Sequence, residues 1–225
     1  MKVNNDDKHL LILGSPRSGT TLLTAMLGCH SKIAILSENY PCTEFKVVGK
    51  QIKGNKLCIP NQIELKHGLL TKVIDILVTL YQRVGNLIKN ILNMRTPIAR
   101  GRKARLSIRD YENVASNLVI IGIIRSPKDV VSSIYKRGQQ SKRTAEYRWR
   151  RAIEVLYELY CDRSESTDLL IVHYNQLVEK PELVMKRCLN ILDCEYEDSV
   201  LTGYLHTPQY KGRKGIDKNK ISQLL

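Results

Sequence analysis

The chain has 225 residues, hydrophobic side chains at 43% of positions and a formal net charge of +14. That length allows one α/β domain with a substantial core, and any insertion is expected to pack against its sheet. The amino terminus MKVNNDDKHLLILG is too polar for a signal peptide, and the longest apolar-rich stretch, LLTKVIDILVTLYQRVGNLIKNIL, is interrupted by Lys72, Asp75 and Arg83, which argues against a membrane span. In chain order, HLLILG reads as a short, wholly apolar strand of the kind buried on both faces of a parallel sheet. TLLTAMLGCH follows as a helix ending near Gly28, and KIAIL as a second strand leading into SENYPC. Residues 61–93 show apolar positions at a three-to-four spacing and predict a helix. Residues 94–112 are basic and irregular, a loop or short-helix insertion. NLVIIGII is the clearest buried strand. It runs into RSPKDVVSSIYKR, where Ser126 reads as an N-cap, Pro127 as the first helical residue and Asp129 as a first-turn acid. TAEYRWRRAIEVLYELY predicts an amphipathic helix, DLLIVHY a third apolar strand, and KPELVMKRCLNIL a helix opened by Pro181. The tail from residue 205 is basic and lacks periodicity. Strands alternating with helices indicate an α/β fold, a P-loop-type doubly wound parallel sheet flanked by helices in a single domain over residues 1–225.

The positive excess recurs in NMRTPIARGRKARLSIRD, YKRGQQSKRTAEYRWRR and YKGRKGIDKNK. It reads either as a basic solvated surface or as a field that draws in an anionic cofactor, an anionic acceptor, or both. Nucleic acid is disfavoured as a partner, since only Phe45 and Trp149 join the tyrosines as stacking candidates and no nucleic-acid module pattern appears. Six cysteines (29, 42, 58, 161, 188 and 194) include no CxxC pair, so metal binding is not expected. Cys29, Cys161 and Cys188 fall in predicted helices, where buried free thiols are common. A cytoplasmic, reduced protein is the expectation.

The chemistry concentrates in LILGSPRSGTTLL, a strand, a tight loop and a helix with Gly14 and Gly19 five positions apart. The spacing approaches the nucleotide loop G-x-x-x-x-G-K-[ST], but Thr20 stands in the place of the lysine and Arg17 lies inside the loop. Two glycines between strand and helix place backbone N–H groups and a helix N-terminus around an anion. Thr20 and Thr21 retain hydroxyl donors and Arg17 supplies a cation. The loop is therefore suited to one phosphate with a group attached, without a triphosphate's magnesium.

GSPRSGTTLLTAML resembles the 5′-phosphosulfate loop of sulfotransferases, which use 3′-phosphoadenosine-5′-phosphosulfate (PAPS), in the arginine version found in protein-tyrosine sulfotransferases and their bacterial relatives. The resemblance implies that Pro16, Arg17, Ser18, Gly19, Thr20 and Thr21 hold the 5′ end of the cofactor. RSPKDVVSS resembles the second family motif and implies that Arg125 and Ser133 grip the 3′-phosphate. Tyr174 in LLIVHYNQLVEKPELVMKRCLNIL matches the tyrosine beside the adenine, and also fits a core-edge aromatic. Lys211, Arg213 and Lys214 in YKGRKG are further 3′-phosphate candidates, with Arg213 and Lys214 the favoured pair. In this branch the general base is a glutamate after the second strand; Glu38 in LSENY occupies that place, with Glu44 and Glu64 as alternatives. The implied reaction moves a sulfuryl group to a hydroxyl of an acidic glycan, a peptide tyrosine or another alcohol. It releases adenosine 3′,5′-bisphosphate and needs no metal.

The resemblance covers residues 8–40 and 117–195 and fails over 45–112, which is expected to carry acceptor recognition; its cations Arg95, Arg100, Arg102, Lys103 and Arg105 equally suit a solvated loop. Trp149 and His30 read as structural. Two other classes stay open on the residues alone: a P-loop kinase or nucleotidase, and a non-catalytic polyanion-binding domain.

Overall fold

The computed structural model of the chain describes residues 8–38, 50–66, 106–115, 117–136, 141–162 and 167–206. At its centre lies β1 (Lys8–Gly14), whose residues Leu10 to Leu13 have no solvent exposure. Parallel strands flank it on both sides, β3 (Ile52–Cys58) on one and β6 (Leu118–Ile124) on the other. Beyond them pair β2 (Ile33–Ser37) and β7 (Thr167–His173), which gives a five-stranded parallel sheet in the order β2-β3-β1-β6-β7. A two-residue parallel pairing joins β4 (Ile63–Glu64) to β5 (Leu106–Ser107).

The period of two along β1 divides the core. Leu10 and Ile12 face a cluster containing Leu23, Met26 and Leu27 of α1 (Thr20–Leu27) and Val184, Met185, Cys188 and Leu189 of α6 (Pro181–Ile191). Leu11 and Leu13 face the opposite cluster, containing Ile108 and Tyr111 of α2 (Ile108–Val114) and Ala152, Val155, Leu156 and Leu159 of α4 (Lys142–Cys161). With both faces covered, a strand needs apolar residues on both sides, which explains the unbroken LLIL and LVII runs. A smaller cluster joins α3 (Pro127–Tyr135) to α4 through Val130, Val131, Ile134 and Ala145, with Trp149 packed against it. The short helices α5 (Tyr174–Glu179) and α7 (Ser199–Thr202) and a 3₁₀ turn (Gly203–His206) complete the described elements.

This topology places the functional edge. The chain leaves β1 into α1 on one face and leaves β6 through α3 into α4 on the other. Adjacent parallel strands whose connections diverge to opposite faces open a crevice beyond their carboxyl ends, where ligands bind in open α/β sheets.

Two expectations need correction. Residues 61–66 form no helix: Ile63 and Leu65 are buried two apart, at the spacing of the extended segment around β4. Residues 67–93 of that predicted helix, the apolar stretch from Leu69 and the basic residues 94–105 lie outside the described residues. Cys29 lies in the turn after α1, and Cys161 ends α4 exposed, so of the three helical cysteines only Cys188 is a buried helical thiol. β3, within the segment 45–112, pairs directly with β1. No described helix is long and apolar enough to cross a membrane.

Candidate active site

The loop after β1 is drawn tight by its own polar groups. Ser18 donates both its N–H (3.1 Å) and its hydroxyl (2.8 Å) to the carbonyl of Ser15, and it is almost wholly buried. The hydroxyl of Ser18 therefore closes the loop. The Ser15 hydroxyl donates in turn to the carbonyl of Pro16 at 3.3 Å. A Cβ at Gly14 would lie 2.6 Å from Ser18 Oγ and 2.7 Å from the carbonyl oxygen of Ile123, so only glycine allows the strand end to pass this close to β6. Gly19 has φ 104°, a conformation that side chains disfavour, and a Cβ there would stand 2.4 Å from the ring of Tyr174. Arg17 is exposed and also left-handed, with φ 73°. α1 starts at Thr20 with no acidic residue in its first turn, so its N-terminal N–H groups carry no built-in counter-charge. Thr20 is buried and its hydroxyl hydrogen-bonds the Cys58 thiol, whereas Thr21 is partly exposed.

The second sequence motif meets the first across the crevice. Ser126 accepts a hydrogen bond from the N–H of Asp129 (3.3 Å) and caps α3, with Pro127 at its first position. Arg125 immediately precedes this cap. Its guanidinium lies over the Tyr174 ring, 4.1 Å from the centroid, and its Nη1 donates to the Arg17 carbonyl at 3.5 Å. Its Nε is buried without a hydrogen-bond acceptor among the described residues, and lies 3.6 Å from the Asp129 carboxylate. From the next turn of α3, Ser133 Oγ accepts a hydrogen bond from Arg17 Nε at 2.9 Å. A cavity of about 430 Å³ opens beside Arg125, lined by Trp149, Ile153, His173, Tyr174 and Asn175 among others.

On the other side of β1, Glu38 follows β2 and continues its ladder, donating its N–H to the Lys56 carbonyl at 2.9 Å. Its φ of 58° turns the side chain back, and Lys56 Nζ meets the carboxylate at 2.5 Å. Lys56 is almost wholly buried on β3. Burial pushes the Glu38 carboxyl upward, but the hydrogen bond and charge of Lys56, with a hydrogen bond from Gln62, outweigh it and hold the group below the usual carboxylate range. Cys58, paired with Gly14 in the sheet, approaches Glu38 Oε1 at 4.0 Å. The contacts Thr20–Cys58–Glu38 thus link the start of α1 to the carboxylate.

Among the sequence candidates, the structure gathers Arg17, Arg125, Ser133 and Tyr174 around one crevice, and joins Thr20 to Glu38 through Cys58. Glu64 is instead committed to Arg151, 3.1 Å from its Nε. Glu44, Lys211, Arg213 and Lys214 lie outside the described residues. Buried His30 is engaged at both ring nitrogens, with the Glu195 carbonyl at 2.9 Å and the Lys32 N–H at 3.1 Å. No group of three or more potential metal ligands occurs among the described residues. Two site residues escaped the sequence reading: Lys56, hidden in a strand without an apolar pattern, and Trp149, whose indole N–H donates to the Arg125 carbonyl at 3.0 Å.

Residues 7–225 match the family model described as the sulfotransferase domain. The chain belongs to the sulfotransferase family. It is 26% identical over 215 residues to protein-tyrosine sulfotransferase A of Caenorhabditis elegans, covering 88% of this chain and 53% of that protein. To protein-tyrosine sulfotransferase 1 of Danio rerio it is 26% identical over 235 residues, covering 98% of this chain and 62% of that protein. This sulfotransferase-family chain therefore spans only about half to three fifths of the length of these two relatives. Its fold is that of the sulfotransferase domain from the Synechococcus PCC 7002 olefin synthase, with TM-score 0.54 and 18% identity over 100% of this chain and 89% of that one. The sulfotransferase domain from the curacin biosynthetic pathway is similar, with TM-score 0.52 and 20% identity over 96% and 82% of the two chains. Of the three classes left open by the residues, the family match supports the sulfotransferase.

Proposed function

We propose that the protein transfers a sulfuryl group from PAPS to a hydroxyl acceptor. The observation that carries this reading is the meeting of two anion-ready elements at one crevice. Arg17, in the loop before α1, and Arg125, at the end of β6, are joined through the Arg17 carbonyl. The residues suit the nucleotide. Arg125 presents a buried Nε that no acceptor among the described residues satisfies, Gly19 leaves room that a Cβ would fill against Tyr174, and the first turn of α1 has no acid to repel a phosphate. When bound, PAPS supplies an activated sulfuryl group on a phosphate leaving group.

The chain's own residues divide the work. The loop backbone and the first turn of α1 bind the 5′ end, and the Arg17 guanidinium neutralises charge that develops there. Arg125 and Ser133 hold the 3′-phosphate, Tyr174 flanks the adenine, and Arg213 and Lys214 of the tail add charge at the 3′ end. The Glu38 carboxylate accepts the acceptor's hydroxyl proton on one of its oxygens, and Lys56 keeps it ionised beforehand. A peptide tyrosine is the first acceptor to test, since the curated relatives are named protein-tyrosine sulfotransferases, with acidic glycans and other alcohols next. Residues 45–112 are the proposed source of acceptor recognition.

Calorimetry with adenosine 3′,5′-bisphosphate, adenosine 5′-monophosphate and magnesium ATP tests the cofactor. Bisphosphate should bind far more tightly than either alternative, and a preference for ATP would overturn the reading. Labelled PAPS offered with a panel of tyrosine peptides, acidic glycans and simple alcohols then identifies the acceptor.

A further inference from the structure

We infer that Trp149 is a positioning residue for nucleotide recognition: it fixes the backbone of Arg125 and so sets the cation that discriminates a 3′-phosphate. The inference rests on the bisphosphate reading proposed above. Arg125 occupies an awkward backbone position. The ladder between β6 and β7 ends at the pair Ile124–His173, and the helical hydrogen bonds of α3 begin at the Ser126 carbonyl. The Arg125 carbonyl thus falls between the two regular patterns. A buried or half-buried carbonyl without a donor is costly, and one left to water can rotate. Trp149 supplies the donor from α4, 24 residues away, with Nε1 at 3.0 Å.

The indole is itself immobilised, packed against the cluster of Val130, Val131, Ile134 and Ala145 that joins α3 to α4. The same cluster therefore holds the helix that carries Ser133 and the indole that holds Arg125. The far end of Arg125 is placed independently, over Tyr174 and against the Arg17 carbonyl. Gripped at both ends, the guanidinium keeps its buried Nε without an acceptor among the described residues. Apolar packing alone would need only the ring, and phenylalanine would serve. The N–H directed at one carbonyl is the part that packing does not require.

The test is a double-mutant cycle on affinity. The ratio of the Kd for adenosine 5′-monophosphate to that for adenosine 3′,5′-bisphosphate is measured by calorimetry for the unaltered protein, Trp149→Phe, Arg125→Ala and the double variant. Trp149→Phe should lower the ratio about five- to tenfold, the scale of one hydrogen bond, with little change in monophosphate affinity. In the Arg125→Ala background the same substitution should change nothing further, because its effect passes through that arginine. An undiminished ratio in Trp149→Phe overturns the inference, as does an equal loss with and without Arg125. If Trp149→Phe does not fold, the question is decided by fluorescence, since Trp149 is the chain's single tryptophan. Bisphosphate should shift the indole emission of the unaltered protein more than monophosphate does, and Arg125→Ala should abolish that difference. Equal responses to the two nucleotides in the unaltered protein overturn the inference. An unaltered protein that binds both nucleotides equally overturns the bisphosphate reading as well, and so separates the two failures.

Discussion

Arg17 Nε donates a hydrogen bond to Ser133 Oγ at 2.9 Å, joining the loop after β1 to the second turn of α3. The residue proposed to act at the 5′ end of the nucleotide is thus held by one proposed to bind at the 3′ end. Removing the hydroxyl frees a long side chain on a mobile stem, and re-ordering that chain costs entropy. Ser133→Ala should therefore lower kcat by about three- to tenfold as well as weaken bisphosphate binding, on the scale of a hydrogen bond to a charged group. In an Arg17→Ala background, where kcat is already at least about tenfold down through lost charge stabilisation, Ser133→Ala should leave kcat unchanged. Steady-state kinetics on the four proteins decide this; a full additive loss in kcat would mean that Ser133 acts on the nucleotide alone.

Glu38→Gln keeps the shape and one carbonyl acceptor for Lys56 but cannot take a proton. Bisphosphate affinity should stay nearly intact while kcat falls by roughly 10²–10⁴, the range for positioned acid–base groups. Normal turnover by this variant on a confirmed acceptor would remove Glu38 from the proton transfer.

The ion pair of Glu38 with Lys56 sets a pH dependence whose sign is fixed. Glu38 titrates below its ordinary range in the folded protein, so it stays ionised down to pH values under about 4.3, the unperturbed glutamate value. Its contribution to stability is present above that unfolded value and fades as pH falls through the lower folded one. Lys56→Met removes the compensating charge and hydrogen bond and leaves burial to push the carboxyl upward. The acidic limb of the kcat profile should then move to higher pH in the variant. A limb that stays in place would show that the titrating base is another group.

Gly19→Ala tests the backbone. At φ 104° a side chain is strained, and the added carbon would meet the Tyr174 ring at 2.4 Å. The expected loss is on the order of 1–3 kcal/mol of stability, read from thermal unfolding, together with weakened bisphosphate binding as the ring is displaced. A variant of unchanged Tm and affinity would mean that Tyr174 yields without consequence.

The sheet was legible wherever burial demanded apolar residues on both faces. β1, β6 and β7 are near-continuous apolar runs, and α4 carries a clear amphipathic period. β3 was not legible because its sequence, IKGNKLC, buries polar groups whose partners lie far away in the chain. Asn55 donates to the Tyr111 hydroxyl at 3.2 Å, and Lys56 finds Glu38. Neither pairing is visible to a local pattern. For the same reason the position of Glu38 could be anticipated but the lysine that tunes it could not. Around Ile63 the three-to-four spacing of neighbouring apolar residues suggested a helix, while the buried pair Ile63 and Leu65 follows an extended backbone. Trp149 illustrates a subtler gap: its packing was foreseeable from the helix, whereas the carbonyl that its N–H would reach was not.

Arg17 and Glu38, proposed for the chemistry, both adopt left-handed backbone conformations, with φ 73° and φ 58°. Such a conformation costs a non-glycine residue roughly 1–2 kcal/mol. Glycine would relieve this, partly offset by the greater freedom it gives the unfolded chain. At position 17 glycine also forfeits the hydrogen bond from Arg17 Nε to Ser133, so Arg17→Gly should leave Tm within about 1–2 °C of the unaltered protein while turning over little or no substrate. Fold stability alone is therefore nearly indifferent to which residue makes this bend. What singles out arginine at this bend is the proposed charge at the 5′ end of the nucleotide.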